Sequence, residues 1–114
     1  AVNTVYNGSI VVLHELENPA DTITIEVQEE GAEHQFFYTP TNNIATIAYT
    51  DQDGNGNPVG ITFTATTTAA ATGNLTVVLR HEPNKSATGV SDGDITNAGG
   101  ETDIEVTFTG INVQ

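Results

Sequence analysis

The stretch Asp103-Ile104-Glu105-Val106-Thr107-Phe108-Thr109-Gly110-Ile111-Asn112-Val113-Gln114, DIEVTFTGINVQ, decides the fold class. Ile104, Val106 and Phe108 share one parity, and apolar residues two apart line one face of a strand. Ile111 and Val113 fall on the opposite parity. Gly110 sits at the change of phase, the sequence mark of a β-bulge. One extra residue there keeps both halves turned toward the same core.

The same period runs back through the chain. LTVVLRH (75–81) puts Leu75, Val77, Leu79 and His81 on one face, with Thr76, Val78 and Arg80 on the other. GITFTATT (60–67) aligns Ile61, Phe63 and Ala65, and IATIAYT (44–50) is a further strand. HQFFYT (34–39) follows a turn at Gly31 and stops at Pro40. TITIEVQE (22–29) sets Ile23, Ile25 and Val27 against Thr22, Thr24, Glu26 and Gln28. A first strand reads from about Val5 to Leu16, apolar on both parities from Ile10 to Leu13 as in a covered central strand. Turn clusters separate these runs: Asn18-Pro19-Ala20-Asp21, the small-residue stretch AAATGN (69–74) and a long polar segment over 82–100. Helical periodicity is missing. The pattern predicts an all-β fold, an antiparallel immunoglobulin-like β-sandwich of about seven strands, as one domain over residues 1–114.

Charge narrows the partners. Fifteen acidic residues face two basic ones, Arg80 and Lys85, for a formal net charge of -13. Such a surface repels phosphate backbones and anionic headgroups, so nucleic acid and bare membrane are not expected partners. Cations and basic surfaces are attracted. The chain has no Cys, which excludes disulfides and thiolate metal sites. No apolar run approaches the roughly 18 residues of a transmembrane helix.

Three constellations carry candidate chemistry. His34 opens an aromatic strand behind Glu29, Glu30 and Glu33, and His81 ends LTVVLRH directly before Glu82. If the two strands are neighbours, the imidazoles meet at one end of a sheet. Glu101 and Asp103, at the start of the last strand, add oxygen donors. Imidazole with carboxylate suits zinc, copper, nickel or iron. The competing reading is a pair of strand-end histidines hydrogen-bonded to loop backbone or a nearby carboxylate. His14 reads as structural or surface.

The second constellation is Asp51-Gln52-Asp53-Gly54-Asn55-Gly56-Asn57, which matches the opening D-x-D-x-N-G of a calcium loop. Asp51, Asp53 and Asn55 are the candidate ligands, but the twelfth position is Thr62 instead of Glu. Asn and Gly there equally suit a plain hairpin. A third set, Asp92, Asp94, Glu101 and Asp103 in a Gly-rich loop, offers oxygens for Ca²⁺ or a cover for the sandwich end, and Lys85 is expected to pair with one of these four acids. Catalysis is not expected. Ser9, Ser86 and Ser91 are the available hydroxyl nucleophiles, and none of them is expected in a G-x-S-x-G elbow.

The stretches EEGAEHQFFY (29–38), DQDGNGNPVGITF (51–63), TGNLTVVLRHEPNKSATGVSDGDITNAGGETDIEVTF (72–108) and the final NVQ resemble a family of small bacterial outer-membrane β-sandwich lipoproteins. The resemblance covers about residues 6–114. It implies an extracytoplasmic location, in the periplasm or on the outer-membrane surface of a Gram-negative bacterium, and accessory work beside TonB-dependent receptors. The family's pattern is a signal peptide, a lipidated Cys, a polar linker and one sandwich. This chain departs from it in lacking the lipobox Cys, which leaves anchoring open. Asp21-Thr22-Ile23 also matches a short O-glycosylation signal of such bacteria.

Two functions follow as expectations. One is a non-enzymatic binding or accessory module of an outer-membrane uptake system, holding a divalent metal (Zn, Cu or Fe, with Ca a weaker candidate) and meeting an outer-membrane receptor. The other is a structural surface or filament subunit that joins like subunits by β-strand addition.

Overall fold

The computed structural model describes residues 3–10, 13–14, 21–22 and 30–114. The chain is all-β, built on two antiparallel three-stranded sheets. One has the order β1 (Val5–Ser9), β6 (Thr62–Thr66), β5 (Thr46–Tyr49), and the other β4 (His34–Pro40), β7 (Ala71–His81), β8 (Glu101–Val113). A two-residue pair, β2 (Leu13–His14) with β3 (Asp21–Thr22), stands apart from both. The expected strand over residues 5–16 is thus seen as β1 and β2. TITIEVQE lies outside the described residues beyond Thr22.

Alternation explains why β4 and β7 hold the centre. Phe36 and Phe37 are both fully buried, on opposite faces of β4. Phe36 joins Tyr38, Val77, Leu79, Val59 and Ile61 in a core that Ile47 and Phe63 of the other sheet complete. Phe37 joins Val78, Val90 and Ala98. The last two come from the polar segment over 82–100, which therefore covers the second face of the sheet. Burying each phenyl ring is worth about 1.5–3 kcal/mol, so this loop is part of the core and not a trailing connection.

The edge of β4 is closed by other groups. The Phe36 N–H donates to the Val59 carbonyl at 2.7 Å, and the Tyr49 hydroxyl donates to the Phe36 carbonyl at 2.6 Å. Gly60 makes this approach possible. Its φ is +94°, and a Cβ there would stand 2.8 Å from the Tyr49 ring and 3.0 Å from the Phe36 carbonyl oxygen.

The bulge at Gly110 is present: Gly73 pairs with Ile111 and Leu75 with Phe108, so two residues of β8 face Asn74 alone. Two expectations need correction. AAATGN does not form a turn throughout, because Ala71–Gly73 pair with Ile111–Val113 and extend β7. The bulge also does not bury both halves of β8. Ile104 and Val113 are covered, but Val106 is 45% and Phe108 51% exposed. Their parity is the core one. The exposure follows from β8's place at the edge of its sheet, flanked on one side only among the described residues.

Candidate metal centre

The antiparallel register of β4 and β7 sets His34 directly opposite His81. Phe36 against Leu79 and Tyr38 against Val77 fix that register, because a slip of one residue would turn both apolar sets out of the core. The two imidazoles stack, with ring centroids 4.7 Å apart and planes 4° from parallel. His34 is buried and His81 partly exposed.

A short 3-10 turn, Gly31–Glu33, brings the preceding acid back over the rings. A carboxylate oxygen of Glu30 and one nitrogen of each histidine lie within 4.8 Å of one another. Glu30 acts through its backbone as well: its carbonyl is 3.1 Å from His34 Nδ1. A carbonyl can only accept, so His34 Nδ1 carries a proton, and in the neutral ring the lone pair is then on Nε2. The tautomer of His34 is thereby fixed by the residue that also offers the oxygen donor.

Asp103 reaches the same place through a second bulge. Leu79 pairs with Ile104 but Arg80 with Thr102, leaving Asp103 as the extra residue of β8. Simple alternation from Ile104 would turn Asp103 to the other face. Instead its Oδ2 lies 3.9 Å from His34 Nε2, the re-aiming of a side chain that bulges produce.

The remaining expected ligands separate from this group. Glu82 Oε1 is 4.0 Å from His81 Nε2, on a largely exposed side chain. Its backbone is unusual for a residue that is not glycine, with φ +56°, and its N–H donates to the Glu33 carbonyl. Glu101 stands opposite His81 in register. Neither Glu33 nor Glu101 joins the cluster of Glu30, His34 and His81. Glu29 lies outside the described residues, as do the side chains of β2 and β3, including His14 and Asp21.

The calcium-loop reading does not survive the geometry. Asp51 accepts the backbone N–H of Gly60 and Ile61 at 2.8 and 2.9 Å. Asp53 accepts those of Asn55 and Asn57, and Oδ2 receives Lys85 Nζ at 2.8 Å. Lys85 also donates to the carbonyls of Gly31 and Pro58. The loop therefore wraps an internal ammonium, and Asn55 serves as a turn residue. The expected pairing of Lys85 with Asp92, Asp94, Glu101 or Asp103 needs correction, because its partner is Asp53. Asp94 instead accepts the Thr96 N–H at 2.9 Å.

The expectation that no serine lies in a G-x-S-x-G run needs correction, because Gly89-Val90-Ser91-Asp92-Gly93 spell that serine-hydrolase pattern. Here they form a 3-10 turn flanked by left-handed glycines. The Ser91 hydroxyl donates to the Lys85 carbonyl at 2.9 Å and lies 3.4 Å from Asn57 Oδ1. Among the described residues no imidazole is hydrogen-bonded to it.

No family model, no curated protein and no solved structure matches this chain.

Proposed function

We propose that this chain is a non-enzymatic, extracytoplasmic binding module on an immunoglobulin-like sandwich. It captures a divalent transition metal through His34, His81 and Glu30, with Asp103 at the border of the site. The observation that carries the reading is the convergence of two imidazoles and a carboxylate within 4.8 Å at one end of a rigid sheet. Two nitrogens with one or two oxygens suit Zn²⁺ and Cu²⁺ better than Ca²⁺, which prefers all-oxygen cages. The surplus of acid, fifteen residues against two basic ones, raises the local cation concentration. Work beside an outer-membrane receptor is drawn from the sequence resemblance.

Calorimetric titration of metal-free protein with Zn²⁺ and Cu²⁺ tests the reading. One-to-one binding that is lost in a His34→Ala/His81→Ala double variant is the expected result. A flat trace, or one unchanged in the double variant, removes the metal.

A structural subunit joined by strand addition is the second reading. Val106 and Phe108, exposed on a strand that is at the edge of its sheet among the described residues, favour it. A strict monomer by light scattering at high concentration would count against it.

A further inference from the structure

We infer that metal capture opens the His34–His81 stack, with His34 as the fixed ligand through Nε2 and His81 as the ligand that turns. This inference rests on the metal reading above and assigns its donor atoms and its moving part.

The stacked arrangement cannot itself be the bound one. The lone pair of an imidazole nitrogen lies in the plane of the ring, so an ion must sit close to that plane. Two planes only 4° from parallel do not meet at an ion that both rings can share. One ring has to rotate. The donors must also close up: ligand atoms on one tetrahedral zinc stand roughly 3–3.5 Å apart, against the present spread of up to 4.8 Å.

The surroundings decide which ring rotates. His34 has its side chain 10% exposed, and the Glu30 carbonyl holds its Nδ1. Turning it would break that bond and leave a buried N–H unpaired. His81 has its side chain 37% exposed, and the carboxylate of Glu82 stands 4.0 Å from its Nε2, beyond a hydrogen bond. Rotation about its side-chain bonds costs it the stack and little else. The Glu30 carbonyl also settles the donor atom, because the protonated Nδ1 leaves only Nε2 of His34 to bind. That nitrogen already faces Asp103 at 3.9 Å, so the same carboxylate lies within a small movement of the ion. An ion would therefore meet His34 Nε2 first, and His81 would complete the site from the solvent side.

Long-range proton–nitrogen NMR on the histidine rings, with Zn²⁺ added to the wild-type chain, tests this directly. The expected result has His34 metallated at Nε2 with Nδ1 still protonated. The ring protons of both histidines move downfield as each loses the shielding of its neighbour. In His81→Ala, Zn²⁺ should bind more weakly but still through His34 Nε2. Binding with the ring shielding retained, or through His34 Nδ1, overturns the inference and leaves the metal reading standing. No change in any histidine resonance at saturating Zn²⁺ overturns both.

Discussion

The Lys85 ammonium lies 2.8 Å from the Asp53 carboxylate, and both side chains are withdrawn from solvent, 5% and 0% exposed. With the carbonyls of Gly31 and Pro58 it has three acceptors, matching the three N–H bonds of an ammonium. One side chain thus ties the 82–100 loop, the 51–60 loop and the turn that carries Glu30.

Lys85→Met is expected to destabilise the protein by about 3–5 kcal/mol in urea melts, since it strands a buried carboxylate. Lys85→Met combined with Asp53→Leu should recover part of that loss. A single-variant cost below about 1 kcal/mol would mean that the buried pair contributes no more than a surface one.

The same pair fixes an acid dependence. Burial pushes the Asp53 carboxyl up, but the hydrogen bonds from Lys85, Asn57 and Asn55 and the ammonium charge outweigh it and hold it below the usual 3.8. A group depressed in the folded state stabilises fully above its unfolded value and loses that contribution as pH falls through the folded one. The gap in stability between wild type and Lys85→Met should therefore be widest near neutral pH and narrow as pH falls, since acid removes the wild type's advantage and neutralises the carboxylate stranded in the variant. Urea melts across that range measure it, and a gap that widens in acid would contradict the assignment.

At the alkaline end the tyrosines act with the opposite sign. Burial raises Tyr49 to about 12, against the lowering effect of the Gln35 hydrogen bond and with help from Asp51. Burial likewise raises Tyr38, whose hydroxyl donates to the Gly60 carbonyl. Their contribution is whole below the ordinary value of 10.0 and is lost as pH rises through the folded values. Stability should fall steadily above pH 10, and phenolate absorbance should rise with unfolding. Tyr49→Phe should cost about 1 kcal/mol at neutral pH and flatten that fall.

Gly100 links the start of β8 to the His34–His81 pair. Its φ is +74°, and a Cβ there would overlap the His81 carbonyl oxygen and come within 3.0 Å of the Glu82 carbonyl oxygen. Gly100→Ala is expected to cost roughly 1–3 kcal/mol from the left-handed backbone and the clash together. It should also weaken Zn²⁺ binding by displacing His81. Unchanged stability and affinity would show that the strand ends adjust freely.

How much of this was legible follows the physics of each signal. Alternation is a local property, so β4, β7 and β8 stand out in the sequence, as does the phase change at Gly110. The meeting of His34 and His81 needs one further step, the pairing of two strands, and their positions at corresponding strand ends suggest it. The Asp103 bulge leaves no comparable mark, because no apolar phase change accompanies it. Glu30 and Glu33 are equivalent in the sequence, and only the 3-10 turn distinguishes them. Lys85 with Asp53 was hidden for a different reason. The D-x-D-x-N-G spelling suggests oxygens arranged around a cation, but of its candidate ligands Asp53 alone receives one, the Lys85 ammonium from 32 residues away, while Asp51 accepts backbone N–H groups. The extension of β7 through Ala71–Gly73 was masked by small residues whose partner, the tail of β8, is remote in sequence.

The most direct measurement is an anomalous difference map from crystals grown with Zn²⁺. A single strong peak about 2.1 Å from His34 Nε2 and from a nitrogen of His81, with Glu30 or Asp103 oxygen completing the site, is the expected result. A map without a peak there, or with both rings still stacked and zinc bound elsewhere, would contradict metal capture by this pair.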